Sequence, residues 1–115
     1  MEKFTIYHNP RCSKSRQTLA ILQEHEAKIK VTEYLKESLL KEELEETIDK
    51  LGISPCELIR KGESEYVNNF KGKDLSEEDC LQAMIDYPKL MERPIVIRGN
   101  QAIIGRPPEN VLKLL

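Results

Sequence analysis

A strand, a break, a helix and a second strand follow one another within the first 34 residues, and this order restricts the fold more than any other feature of the chain. Residues 3–8 alternate and are rich in Phe, Ile and Tyr, the pattern of a short strand. Asn9-Pro10 breaks it. From Ser13 to about Ala27 there is neither Gly nor Pro, and Leu19, Ile21 and Leu22 fall near one side of the helix that this predicts. Ile29-Lys30-Val31-Thr32-Glu33-Tyr34 alternates again and is rich in β-branched residues, which predicts the second strand. Strand, helix, strand at this spacing is the βαβ pattern of a parallel pair with a right-handed crossover.

The middle of the chain is charged and helical. Leu40, Leu44, Ile48 and Leu51 repeat at helical spacing, and Gly52 is placed to end that helix. Ser54-Pro55-Cys56-Glu57 combines a capping box with proline at the first helical position. A further helix is predicted from Ser76, with Asp79 in the box position and Leu81, Met84 and Ile85 as its apolar residues, ending before Pro88. Strands return at Pro94–Arg98 and Gln101–Ile104, joined by a two-residue Gly99-Asn100 turn. Pro107-Pro108 starts a short terminal helix through Leu115. The expectation is one α/β domain over residues 1–115, with a helical insertion at about 38–88.

Composition removes several functional classes. A chain of 115 residues supports a single hydrophobic core, and 39% hydrophobic with 33% charged residues is a folded, soluble balance. No apolar run approaches the ~20 residues that cross a bilayer, so no membrane association is expected. The start Met1-Glu2-Lys3-Phe4 is charged and leads into no apolar h-region, so a secretory signal is not expected and the location reads as cytoplasmic. A net charge of −2 without a long basic run argues against nucleic acid as a partner. Three cysteines, an odd number, in such a chain do not describe a disulfide scaffold. Cys12, Cys56 and Cys80 also lack the C-x-x-C or Cys/His spacing of a zinc site, so no metal is expected.

Local charge separates the three thiols. Cys12 lies after the first strand, at the start of the first helix, within His8-Asn9-Pro10-Arg11-Cys12-Ser13-Lys14-Ser15-Arg16. Unpaired N–H groups at a helix start carry partial positive charge and favour thiolate; Arg11, Lys14, Arg16 and His8 add cations. The same N–H groups suit an oxyanion, so nucleophile and anion site coincide. Cys56 is followed by Glu57 and Glu63, and Cys80 is preceded by Glu77, Glu78 and Asp79. Negative neighbours disfavour thiolate, so both read as structural, and spacing alone leaves open whether either joins a disulfide.

Arginine is the second signal. Arg60, Arg93 and Arg106 stand at element edges outside the loop, and guanidinium groups hold tetrahedral oxyanions through paired hydrogen bonds that lysine does not reproduce. Arg93 precedes Pro94 just before a strand, and Arg106 lies between Gly105 and Pro107. Both sit on constrained backbone, which suits preorganised binding.

The run from His8 to Thr18, with Leu58-Ile59-Arg60, Arg93-Pro94-Ile95 and Gly105-Arg106-Pro107-Pro108, resembles the glutaredoxin-coupled arsenate reductase family over nearly the whole chain. The resemblance implies a thioredoxin-like fold with a mixed sheet, a helical insertion and a cis bond before Pro94. It implies Cys12 as nucleophile and His8 as the histidine that lowers its pKa. Arg60, Arg93 and Arg106, with Ser15 and Arg16 of the loop, are the implied oxyanion-binding residues. In the implied reaction Cys12 attacks the arsenic of arsenate, glutathione adds as co-substrate, and glutaredoxin removes it as a mixed disulfide while arsenite leaves. No bound cofactor is implied.

Ser13-Lys14 follows the cysteine where characterised members of that family commonly carry Gly-Thr, and Lys14 adds a charge that bears on substrate choice. Two other readings compete. One is a monothiol glutaredoxin-like thiol-disulfide oxidoreductase, which predicts a groove for a peptide-like thiol. The other is a Spx-like RNA polymerase-binding regulator, whose C-x-x-C switch is missing here because Ser15 occupies the second position.

Overall fold

The computed structural model describes residues 3–25, 27–37, 39–92 and 94–115. The chain divides into two compact units, Met1–Glu37 with Arg93–Leu115, and Ser38–Glu92.

The first unit is built on four strands: β1 (Phe4–Tyr7), β2 (Ile29–Thr32), β3 (Ile95–Arg98) and β4 (Gln101–Ile104). Their order is β2-β1-β3-β4. β1 runs parallel to β2, with Phe4 opposite Ile29 and Tyr7 opposite Thr32, and antiparallel to β3, with Tyr7 opposite Ile95. The helix α1 (Ser13–Glu24) makes the parallel connection that the opening pattern predicts. Strands β3 and β4 form the expected hairpin, with Gly99 at φ 57, a left-handed value that glycine adopts without a Cβ penalty. This mixed sheet with helices bears out the α/β reading.

The inner face of this unit packs Phe4 and Ile6 of β1 against Leu22, Val96, Val111 and Leu114. Burying each of these large side chains contributes about 1.5–3 kcal/mol relative to exposure. The stripe by which α1 packs is not the expected leucine side. Its buried residues are Ser15, Thr18 and Leu22, while Leu19 and Ile21 are only partly covered. Two hydroxyls lie inside because each has a hydrogen-bond partner, and periodicity of apolar residues alone does not reveal them.

The terminal segment is a 3-10 helix, Pro108–Leu114, in place of an α-helix. The Asn110 side-chain amide donates to the carbonyls of Arg106 (2.9 Å) and Ile104 (3.3 Å), tying the segment to the end of β4. Arg98 lies with its guanidinium 5.2 Å from the centre of the Phe4 ring and donates to the Leu114 carbonyl. The bond expected to be cis, Arg93–Pro94, lies outside the described residues; a cis bond occurs at Arg106–Pro107.

The second unit holds α2 (Lys41–Leu51), a single 3-10 turn at Pro55–Leu58, α3 (Ser64–Asn69), α4 (Glu77–Asp86) and a 3-10 turn at Pro88–Leu90. Leu44 and Ile48 are buried on α2, and Gly52 ends it at φ 72. Leu40, which the spacing includes in the stripe, is instead the exposed N-cap residue. The start signals at Ser54 are used: the Glu57 carboxylate accepts the Ser54 N–H at 2.6 Å. The turn stops at Leu58 because the chain becomes extended, and Ile59 bridges to Met91. The box at Ser76 is fully formed, with Ser76 Oγ accepting the Asp79 N–H and the Asp79 carboxylate accepting the Ser76 N–H, each at 3.1 Å. Helix α3 has no buried residue, so it lacks the apolar stripe by which a sequence announces a helix.

The fold answers what the spacing of the thiols left open. Cys56 and Cys80 are joined in a disulfide, with Cα atoms 5.2 Å apart, tying the Pro55–Leu58 turn to α4. Twenty-four residues of intervening chain conceal a proximity that only the fold creates.

Candidate active site

The site grows from the end of β1. The His8 N–H donates to the Thr32 carbonyl at 2.9 Å, continuing the parallel pairing one residue past the strand and holding the His8 side chain inside. Asn9 then turns the chain twice over: its side-chain oxygen accepts the Arg11 N–H at 3.0 Å, and its carbonyl accepts the Cys12 N–H at 2.9 Å. Cys12 is thereby the N-cap of α1, in extended conformation (φ −95, ψ 121), and its carbonyl accepts the Arg16 N–H at 3.0 Å. Arg16 reaches back and donates from Nη1 to the Pro10 carbonyl at 2.8 Å, closing the loop.

Beneath the loop lies a buried polar cluster. Ser15 is fully buried, and its Oγ lies 2.6 Å from His8 Nδ1 and accepts the Asn9 N–H at 3.0 Å. Burial lowers the His8 pKa from its ordinary 6.5; nearby Glu33 opposes this, and Arg16 pushes it lower still. A neutral ring whose Nδ1 accepts the Ser15 hydroxyl proton satisfies all three groups. In that form His8 fixes the loop through Ser15 and adds no positive charge of its own.

Among the described residues, Arg106 brings positive charge beside the thiol. Its Nη2 lies 3.8 Å from Cys12 Sγ, across 94 residues of sequence. What places Arg106 there is the residue before it. Gly105 donates its N–H to the Pro94 carbonyl at 2.9 Å and packs so closely that a Cβ would fall 2.7 Å from Thr18 Oγ1 and 2.8 Å from Pro94 Cγ. Thr18 Oγ1 donates to the Lys14 carbonyl at 2.9 Å and stands 3.5 Å from the Gly105 carbonyl. Without a side chain at 105, the strand end comes within reach of α1.

Of the seven expected site residues, the first unit brings five together: His8, Cys12, Ser15, Arg16 and Arg106. Ser15 points inward to His8 and Asn9, and the Arg16 side chain braces the loop. Arg60 lies in the helical unit, where Nη1 meets Glu63 at 3.1 Å and Nε meets Glu92 at 3.6 Å. Arg93 lies outside the described residues. Asn9, Thr18 and Gly105 are positioning residues that the sequence reading missed. The one local signal was a glycine directly before the Arg-Pro pair.

Comparison with known proteins agrees with this geometry. The ArsC family model matches residues 7–114. An arsenate reductase from Haemophilus influenzae is 41% identical, covering 96% of this chain and 97% of that protein. The uncharacterized protein YfgD of Escherichia coli is 47% identical, covering 96% of this chain and 94% of its own. A solved structure described as an arsenate reductase from Vibrio cholerae superposes with a TM-score of 0.93 at 42% identity, covering 99% of this chain and 98% of that one. The chain is a member of the ArsC family, with its thioredoxin-like fold.

Proposed function

We propose that this chain is an oxidoreductase that reduces arsenate to arsenite through a covalent bond between Cys12 Sγ and arsenic. The observation that carries the reading is the Arg106 guanidinium 3.8 Å from the thiol of Cys12, the N-cap residue of α1. A guanidinium and the first-turn N–H groups both favour thiolate over thiol, and both suit the oxygens of a tetrahedral anion. The likeness to arsenate reductases over nearly their full length supports arsenate as that anion.

In this reading Cys12 thiolate attacks arsenic and an oxygen leaves as water after protonation. Glutathione adds to arsenic through its sulfur and displaces a second oxygen. A glutaredoxin thiolate then attacks the glutathione sulfur, and the electron pair of the breaking S–As bond reduces As(V) to As(III). Glutathione and glutaredoxin leave joined as a mixed disulfide, so two thiols supply the two electrons. Water releases arsenite and restores Cys12. Arg106 holds charge that develops on oxygen, and Arg60 and Arg93 share that role. Arg16 keeps the loop closed, and His8 with Ser15 sets its shape. The route draws on no prosthetic group and takes place in the cytoplasm, where the thiol pool is reduced.

Turnover with arsenate, glutathione and glutaredoxin tests the reading, run beside a glutathionylated peptide as substrate. Arsenite formation that stops in Cys12→Ser supports it. Activity on the peptide alone would replace it with a monothiol glutaredoxin-like function.

A further inference from the structure

The Cys56–Cys80 disulfide lies in the helical unit, outside the chemistry assigned to Cys12. We infer that it is a second thiol-reactive centre, one that exchanges with small anionic thiols through Cys56 Sγ.

Access makes the two sulfurs unequal. Cys80 is 2% exposed and packs among the buried residues of α4, whereas Cys56 is half-buried. A thiolate must reach the sulfur it attacks, so exchange is directed to Cys56, with Cys80 as the leaving thiol. A cavity of about 140 Å³ opens at the bridge, lined by both cysteines and Tyr66, and its charged lining residues are Lys61 and Lys73. Both lysines are exposed, so an incoming molecule meets their ammonium groups. Glu77 and Glu78 line a different cavity, with Glu45 and Asp49, while Asp74 and Asp79 share a third cavity with Lys73 and are not among the residues lining the mouth at the bridge. A positive mouth raises the local concentration of thiols that carry carboxylates, such as glutathione, and repels cationic ones.

The exchange balances without any further reactant. The thiolate RS⁻ attacks Cys56 Sγ, the S–S bond breaks, and its electron pair passes to Cys80 Sγ. That sulfur takes a proton from solvent once the bond has broken. A second RS⁻ attacks the RS sulfur of the mixed disulfide, releasing RSSR and the Cys56 thiol. The Ser76 carbonyl, 3.7 Å from Cys56 Sγ, stands ready to accept the new S–H. Two thiols are oxidised and one protein disulfide is reduced, which removes the covalent tie between the Pro55–Leu58 turn and α4.

The test uses the full chain with Cys12→Ser, so that only this pair reacts. Exchange with glutathione and with cysteamine, a small cationic thiol, is stopped with acid and mapped by peptide mass. Rates are expressed per thiolate. The expected result is a mixed disulfide at Cys56, formed several-fold faster with glutathione than with cysteamine. Added salt should slow the first and speed the second. In Lys61→Glu with Lys73→Glu the preference should invert. A mixed disulfide at Cys80, equal rates with the two thiols at every salt concentration, or no exchange in the folded chain would overturn the inference.

Discussion

His8 Nδ1 lies 2.6 Å from Ser15 Oγ, and through that hydroxyl the end of β1 is coupled to the start of α1. Because burial holds the His8 pKa below 6.5, the folded chain resists protonation that the unfolded chain accepts. Stability is therefore complete above pH 6.5 and declines as pH falls from there through the folded value. Urea unfolding at a series of pH values between 7.5 and 5 should show this decline. In His8→Gln the slope over that window should flatten, whatever the cost of the substitution at pH 7.5. An unchanged slope would remove His8 as its source.

Ser15→Ala leaves the Asn9 N–H and the His8 ring without their shared partner. Each unsatisfied buried group costs about 1–3 kcal/mol. The unfolding midpoint should fall by the equivalent of about 2 kcal/mol or more, and Ser15→Thr should lose less if the larger side chain is accommodated. A midpoint unchanged in Ser15→Ala would mean that the cluster is not an energetic unit.

Cys12→Ser should abolish turnover, while Cys56→Ser and Cys80→Ser keep it. Arg106→Ala should raise the Cys12 thiol pKa toward the free value of about 8.5, read by pH-dependent alkylation. It should also remove protection of the thiol by arsenate. If alkylation of Arg106→Ala follows the parent curve, the guanidinium is not what activates the sulfur.

Gly105→Ala places a methyl group where Thr18 Oγ1 and Pro94 Cγ already stand. The strand end must shift, and Arg106 with it. Misplacement of about 1 Å at a reacting centre costs up to about a hundredfold in rate, so kcat should fall by roughly tenfold or more while the fold persists. The Cys12 alkylation curve should move in the same direction as in Arg106→Ala. A lower kcat with an unmoved curve would indicate damage elsewhere.

Arg60 is held by the carboxylates of Glu63 and Glu92. An oxyanion that uses Arg60 must compete with them. Glu63→Gln should therefore lower the KM for arsenate several-fold, whereas Arg60→Ala should raise it. If neither variant changes KM, Arg60 braces the helical unit and takes no part in binding.

Much of this was legible from residue order. β1, α1 and β2 followed from alternation and the Asn9-Pro10 break, and the hairpin from Gly99-Asn100, because local backbone preference and the sheet agree there. Ser54 and Ser76 were read as helix starts from their partners three residues on, a relationship contained within one turn. Cys12 stood out because its cations are sequence neighbours. Arg106 was assigned to the site of Cys12 only through the family resemblance, and what stayed hidden depends on distant chain: Gly105 against Thr18, and Cys56 joined to Cys80. The inward hydroxyls of Ser15 and Thr18 were also missed, since a buried polar group declares itself only through its partner.

The helix that carries the nucleophile is incomplete at its own start. Serine, threonine, asparagine or aspartate ordinarily serves as N-cap, yet α1 begins at Cys12 with no side-chain cap hydrogen bond and no acidic residue in its first turn. An oxyanion seated there supplies what those residues supply elsewhere, an oxygen for orphan amides and a negative charge for the helix dipole. In the proposed reaction arsenate is then both the molecule to be transformed and the first turn's missing anchor. On the proposed reaction each catalytic cycle would tighten the start of α1 when the anion arrives and loosen it when arsenite departs, so slowed amide exchange at Lys14 and Ser15 should track occupancy of the site.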